Sequence, residues 1–382
     1  MPNSQIHQGV LPQRILMTAD AVGGIWTYAL DLAEQFSLGG SATLVATMGP
    51  APTQAQRSQA AAVRNLELAE GSFPLEWMPN VSEAALAEAG AWLKRLESRF
   101  RPQVIHLNGY THATSRWNAP VVVVAHSCVS SWWLGVHGEL PPAGWKGYRD
   151  RVMAGLEAAD AVVAPSASII KTMRAIYSPR LKRSAVIHNF TNLEIPFAEK
   201  QPVVLAAGRL WDRAKNLAVL DRISPIAGWQ IQVAGDADGP DGSVYRPEHI
   251  QVLGRLSREQ MAQRLAAAAI FVHPAKYEPF GLSILEAARA GCVLVLADIP
   301  SLRELWDGCA LFAPPDDVAC LANCIDLVAR SPRLRSEYSI KALRRSHEFD
   351  ANASTQSYLE LYASLAKAHQ AYRGERCFSV QQ

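Results

Sequence analysis

Short runs rich in valine, isoleucine and leucine recur along this chain, and helical patterns stand between most of them. RILMTA (Arg14 to Ala19), SATLVATM, QVIHLN, PVVVVAH and DAVVAPS fall in the first half; PVVLAAG, WQIQVAG, IQVLG, IFVHPA and CVLVLAD fall in the second. A continuous apolar run, rather than an alternating one, fits a strand buried on both faces, as in a parallel sheet. Parallel strands need crossover connections, usually helices. GGIWTYALDLAEQFSLGG supplies one, stopped by Gly39 and Gly40, and SEAALAEAGAWLKRLESRF supplies another, with Ser82 as N-cap. The alternation predicts an α/β chain with doubly wound sheets.

A chain of 382 residues is long for one such unit, which predicts two domains. NFTNLEIPFAEKQP (Asn189 to Pro202) has two prolines and no period, so it reads as the linker. Rossmann-like domains are expected over residues 1–195 and 200–350, facing each other across a cleft, with a helical tail over 351–382.

Charge narrows the function classes. Lys plus Arg number 37 and Asp plus Glu 35; residues 1–200 hold 17 basic and 15 acidic side chains, leaving 20 of each beyond. Neither half is a basic reservoir, which argues against nucleic-acid binding. No apolar run reaches the roughly 20 residues of a membrane span. The opening MPNSQIHQGVLPQ lacks the features of a secretory signal. The six cysteines are scattered, with no C-x-x-C, so reduced thiols and a cytoplasmic location are expected.

The chemistry concentrates in HPAKYEPFGLSILEAARAGC (His273 to Cys292), which holds Glu278 and Glu286. A strand ends at its head, and a helix is expected from Phe280 or Gly281 to the C′ glycine Gly291. The first N–H groups of that helix lack intrahelical partners, and its dipole makes the tip partly positive, so a phosphate suits it. Gly281 lets the backbone approach closely. One carboxylate stands before the tip and one inside the helix, so each can grip hydroxyls on either side of a diphosphate. AAGRLWDRAKN adds Arg209 and Lys215 at another strand end, two cations able to neutralise a departing nucleoside diphosphate. This layout fits a nucleotide-sugar. A glycosidase acid/base pair would give Arg209 and Lys215 no use.

The strand–GRL–x4–Lys element, followed by strand–HPAKYEPFGLSILEAARAG with seven residues between Glu278 and Glu286, resembles the retaining glycosyltransferases of family 4, which have the GT-B fold. DAVGGIWTYALDLAEQF, VVVVAHS, DAVVAPSAS and VIHNFTN extend the likeness over most of the chain. The resemblance implies that residues 1–195 bind the acceptor, that 200–350 bind the donor, and that the tail crosses back to the first domain. It implies that Glu286 binds the ribose and Glu278 a hydroxyl of the transferred sugar. Arg209, Lys215 and the backbone around Phe280, Gly281 and Leu282 would hold the diphosphate. His126 would lie under the donor sugar, and Gly23 and Gly24 would let the first loop approach the phosphates. No metal or other cofactor is implied, the nucleotide-sugar being a co-substrate. Two departures are IPSLREL, where many members have a Gly-rich turn, and the bulky Trp211 after GRL.

Other features leave the acceptor open: a glycan, a lipid-linked sugar or a small molecule. HSCVSSWWLGVHGELPPAGWKGYRD (His126 to Asp150) reads as a long loop before a helix, and its Trp132, Trp133 and Trp145 suit the border of an acceptor site. They suit a core equally. Two basic helix segments, WLKRLESRFR and SPRLRSEYSIKALRRS, are compatible with peripheral contact to an anionic membrane. GDADGPDG (Gly235 to Gly242), with Asp236, Asp238 and Asp241, reads as a tight turn rather than a metal loop, because its spacing fails the EF-hand pattern. His273 and His188 read as structural. A nucleotide-sugar epimerase, a glycogen-synthase-like polymerase and a non-catalytic sugar-nucleotide-binding scaffold remain alternatives.

Overall fold

The computed structural model describes residues 12–78, 81–223, 226, 228–239 and 245–379, with 372–379 as backbone alone. The N-terminal stretch to residue 11, Asp241 and the side chain of Cys377 lie outside the described residues. The first lobe runs β1 (Arg14–Asp20), α1 (Gly24–Leu38), β2 (Ala42–Met48), α2 (Gln54–Ala62), β3 (Leu66–Glu70), α3 (Glu83–Phe100), β4 (Val104–Leu107) and β5 (Val121–Val124). It continues through α4 (Val129–His137), α5 (Lys146–Ala158), β6 (Ala161–Ala164), α6 (Ala167–Tyr177) and β7 (Ser184–Val186). The second lobe contains β8 (Gln201–Ala207), β9 (Gln230–Ala234), β10 (Gln251–Gly254), α7 (Arg258–Ala267), β11 (Ala268–His273) and α8 (Leu282–Arg289). Then come β12 (Val293–Ala297), α9 (Pro300–Trp306), β13 (Leu311–Ala313), α10 (Val318–Arg330), α11 (Pro332–Ser346) and α12 (Ala351–Ser379).

Every strand pair is parallel. Sheet order is β3-β2-β1-β4-β5-β6-β7 in the first lobe and β10-β9-β8-β11-β12-β13 in the second. These are the two doubly wound sheets that the sequence predicts. Each sheet is buried on both faces, which explains the continuous apolar runs. In each sheet the winding reverses once, between β1 and β4 and between β8 and β11. Ligands of such sheets bind at the reversal, beyond the carboxyl ends of the strands. Ala21 to Gly24 and Asn108 follow β1 and β4; Arg209 to Lys215 and Pro274 to Glu278 follow β8 and β11.

The stretch from Asn189 to Lys200 has no regular structure, yet it is pinned. Asn189, Thr191 and Leu193 are buried, and Arg289 donates to the Thr191 carbonyl at 2.6 Å. After α11 the chain passes to α12, whose Tyr358, Leu359, Leu361, Tyr362 and Leu365 complete the core between α1 and the first sheet. The final helical pattern is thus two helices with different partners.

One sequence expectation is corrected here. Residues 126–150 are largely helical, not one long loop. Cys128 caps α4 through a reciprocal bond pattern with Ser131, and Gly138, at φ 77°, ends it. In the basic helix segments Lys94 pairs with Glu97, Arg99 with Glu67, Lys341 with Glu337 and Arg345 with Glu348, and Arg335 donates to the Val328 and Ala329 carbonyls, while Arg95, Arg101, Arg333 and Arg344 are exposed. No described helix is long and apolar enough to cross a membrane.

Candidate functional site

The tip of α8 organises the site. The helix starts at Leu282, a residue or two later than expected, because Gly281 adopts φ 85° as its N-cap. That left-handed backbone favours glycine, and a Cβ there would lie 2.5 Å from Ile284 Cδ1 and have to displace it. The Phe280 ring packs in the core 5.4 Å from Phe349, which leaves its backbone as the only part available to a ligand. Across the cleft, the first lobe reaches this tip: a Cβ built on Gly24 would be 3.8 Å from Leu282. Gly23 caps α1 in extended conformation.

Glu278 is buried just before the tip. Its Oε2 accepts from Lys215 Nζ at 2.6 Å and from His273 Nε2 at 3.0 Å. Burial pushes this carboxyl up, but the Lys215 charge and the His273 bond outweigh it and hold the group well below the usual carboxylate range. His273 is itself buried, and burial lowers its pKa against the pull of Glu278. Its Nδ1 is buried without a partner among the described residues, as fits a neutral ring protonated on Nε2. His273 therefore holds Glu278 in place, a more specific task than the structural role read from the sequence.

Arg209 leaves β8 with its guanidinium 2.7 Å from Asp212 and 5.0 Å over the Trp211 ring. Asp20, buried at the end of β1, lies within range of the Arg209 charge and accepts from the Val22 N–H at 3.0 Å. Burial raises the Asp20 pKa. A cavity of about 410 Å³ lined by Val136 of the first lobe and Leu210, Trp211, Arg213, Tyr245 and Lys276 of the second opens beside this loop.

Glu286 is half-buried one and a half turns into α8 and accepts from Thr191 Oγ1 at 3.3 Å. Burial raises its pKa to about 7; the Arg258 charge opposes this and the Asp31 charge adds to it. Asp31, on α1, receives a bidentate pair from Arg258 of α7 at 2.7 and 3.0 Å. That ion pair ties the lobes together beside Glu286. Its members are 227 residues apart, and no local pattern announces it. Further ties surround the site: Ser166 Oγ donates to the Pro279 carbonyl at 3.1 Å, and Glu304 accepts from the Ala167 and Ser168 N–H groups at 2.7 Å each.

His126 follows β5, with Nε2 2.8 Å from Asn108 Oδ1 and its ring edge-on to Tyr28 at 4.5 Å. Burial lowers its pKa to about 4. On α4 Trp132 meets Trp133 and His137 edge-to-face, Trp133 lies tilted against His137 at 4.7 Å, and Trp133 Nε1 is buried without a partner among the described residues. The same helix meets the second lobe at Gly135, where a Cβ would sit 2.8 Å from Tyr277 Cβ, and at Ser131, bonded to the Tyr277 hydroxyl at 2.7 Å. Trp145 packs instead against Tyr148 and the first-lobe core. His188 bonds the Pro165 carbonyl at 2.8 Å. Among the described residues no group of three His, Cys, Asp or Glu side chains gathers to hold a metal.

Residues 201–330 match the family described as glycosyl transferases group 1, and residues 22–195 match glycosyltransferase family 4. Glycogen synthase of Mycobacterium tuberculosis is 28% identical over 80% of this chain and 81% of its own length. D-inositol 3-phosphate glycosyltransferase of Streptomyces scabiei is 24% identical over 93% of this chain and 89% of its own. Among solved structures, sucrose-phosphate synthase of Thermosynechococcus elongatus superposes with a TM-score of 0.74 at 18% identity, covering 93% of this chain and all of that one. An Anabaena protein solved with UDP and glucose gives 0.71 at 18% identity, over 92% and 100% of the two chains.

Proposed function

The chain belongs to the group 1, family 4 glycosyltransferases of the GT-B fold, and from that premise we propose a retaining, metal-independent hexosyltransferase that moves a sugar from a nucleoside diphosphate to an acceptor hydroxyl. The observation that carries this reading is the cluster of half-buried Lys215 with buried Glu278 and His273 at the tip of α8, facing the glycine loop of the other lobe. In this reading the diphosphate lies at the helix tip with Arg209 and Lys215, where fixed cations and N–H groups stabilise charge on the leaving group. Lys215 has three N–H donors, so it can serve a phosphate oxygen and Glu278 together. Glu278, held ionised, accepts a sugar hydroxyl, and Glu286 the ribose hydroxyls. The bond from the anomeric carbon to phosphate breaks as the acceptor oxygen bonds the same face, and the acceptor proton passes to the leaving phosphate. The complex of the Anabaena protein with UDP and glucose supports a nucleoside diphosphate donor, and the named transferases among the relatives weigh against an epimerase or a scaffold.

The test is a panel of UDP, GDP and ADP with their sugars. A nucleotide at ~100 times its Kd stabilises the protein by about 2.7 kcal/mol, and its sugar should release free nucleoside diphosphate and give a product of unchanged anomeric configuration. No thermal shift and no release across the panel would refute the reading; an inverted product would refute retention. The acceptor side is assigned to Trp132 and Trp133 of α4, the helix whose Val136 lines the cavity at Trp211 and Tyr245. The indole N–H of Trp133 lacks a partner and its ring can stack on a sugar, so Trp133→Ala is expected to raise the acceptor KM about tenfold (about 1.4 kcal/mol). An unchanged KM removes it from the acceptor site. The acceptor is a glycan, a lipid-linked sugar or a small molecule, and the five free cysteines among the described residues suit a reducing, cytoplasmic setting.

A further inference from the structure

Behind His126 lies a chain of buried polar side chains that the site above does not use. Asn108 sits at the end of β4, where the first sheet reverses. Its backbone N–H donates to Thr18 Oγ1 at 3.0 Å and its side-chain Nδ2 to the Thr18 carbonyl at 2.7 Å. Those bonds fix the amide, so Oδ1 is turned the other way as a pure acceptor. Two imidazoles meet it: His126 Nε2 at 2.8 Å and His106 Nε2 at 3.2 Å. A carbonyl oxygen gives no hydrogen, so both rings carry theirs on Nε2. The far side of His106 agrees. Its Nδ1 lies 2.5 Å from the Tyr362 hydroxyl, which must donate to it. Tyr28 completes the set: its oxygen lies 3.3 Å from His106 Nε2, and its own hydrogen goes to the Tyr358 hydroxyl at 2.7 Å. The hydrogens of His126, His106, Tyr28 and Tyr362 take one consistent set of directions. His106, Tyr28, Tyr358 and Tyr362 are all buried, so their hydrogen bonds cannot be exchanged for water without cost.

We infer that Asn108 is a positioning residue for glycosyl transfer: it holds His126 in the Nε2–H tautomer, with Nδ1 as the acceptor presented to substrate, and Tyr358 and Tyr362 of the C-terminal helix anchor that grip through Tyr28 and His106. The inference rests on the proposed place of His126 beside the donor sugar. It adds a chemical selection. His126 Nδ1 has no partner among the described residues, and a bare ring nitrogen accepts a hydrogen bond but gives none. The group it meets is a hydroxyl that donates, not a phosphate oxygen or a carbonyl. Burial lowers the pKa values of His106 to about 3 and of His126 to about 4, in line with two neutral rings at pH 7.

The experiment is nitrogen NMR of the full chain labelled at histidine, with steady-state kinetics alongside. The parent should show His126 as the Nε2–H tautomer. Asn108→Leu, which removes the acceptor, should give a mixture of tautomers. It should also lower kcat by roughly 10- to 100-fold, as expected for a reacting neighbour displaced by about 1 Å, with the donor KM within about threefold. Asn108→Asp keeps an acceptor toward both rings but loses the N–H given to the Thr18 carbonyl, so it should retain the Nε2–H of His126 and lose less kcat than Asn108→Leu. Tyr358→Phe, which removes only the distant anchor, should give a smaller loss in the same direction. An Nδ1–H tautomer in the parent overturns the inference even if Asn108→Leu fails to fold. So does an Asn108→Leu protein with unchanged tautomer and kcat. The NMR readout needs no substrate. A parent that transfers no sugar would refute the proposed function while the tautomer result still stood or fell by itself.

Discussion

Lys215→Met is expected to destabilise the protein by about 3 kcal/mol at pH 7 and to lower transfer by at least about a hundredfold. Removing one partner of a buried ion pair costs roughly 3–5 kcal/mol, because the other charge is left uncompensated. The lower end applies here, since the Lys215 side chain keeps 22% of its exposure. The pH dependence identifies the cause. Glu278 has a folded pKa depressed below its unfolded value, so its contribution is fully present above the unfolded value, 4.5, and is lost as pH falls through the folded one. The gap between parent and variant should be widest above about pH 5 and should shrink steadily on acidification. Urea unfolding of both proteins from pH 7 to pH 3 measures this. A gap that stays constant with pH, or is absent at pH 7, would mean that the Lys215–Glu278 bond does not carry the local electrostatics.

Glu286→Gln carries the opposite sign in stability. The folded pKa of Glu286 is raised to about 7 by burial, against an ordinary 4.5. Its contribution is present at low pH, where both states are protonated. It is lost as pH rises through the interval in which the unfolded chain ionises and the folded one resists. Above about pH 7 the carboxyl is therefore a constant deficit of at most about 3 kcal/mol, reduced by its partial exposure. Glutamine keeps the shape and removes the charge. The variant should melt above the parent at pH 8 and with it at pH 4, while its affinity for the nucleotide falls about a hundredfold, as two ribose hydroxyls lose a charged acceptor. Such a trade of stability against binding is common where a site holds an ionisable group in a dry place. Equal melting at pH 8 would deny the burial penalty, and unchanged nucleotide affinity would remove Glu286 from the ribose.

How far the chain could be read depended on how local each interaction is. PVVVVAH and CVLVLAD are legible because a strand covered on both faces has no reason to alternate. LELAE at β3 is not, because an edge strand with both exposed and half-buried positions resembles a polar loop, and the three residues of β13 are too few for any period. The polar helix α2 hid behind a composition of Gln, Arg and Ala, although Thr53 and Gln56 form a capping box that a closer reading of T-x-x-Q would have caught. α4 was masked by its cap, since Cys128 is not among the usual capping residues. In the site, Glu278, Gly281 and Glu286 stand within one local motif, and Lys215 stands on a recognisable strand end. Asn108, Asp31 and Arg258 gave no signal, because their meaning lies in partners brought together only by the fold. His273 is the intermediate case: five residues from Glu278, it meets that carboxylate because the turn between them folds back.

The return of α12 to the first lobe sets an order on biosynthesis. The apolar surface that Tyr358, Leu361 and Tyr362 finally cover belongs to a sheet whose last strand is synthesised by residue 186. At roughly 5–20 residues per second, that surface waits on the order of ten seconds or more while the second lobe is made. Nascent chains stalled or truncated before α12 should expose it, and so should draw chaperones that full-length chains escape.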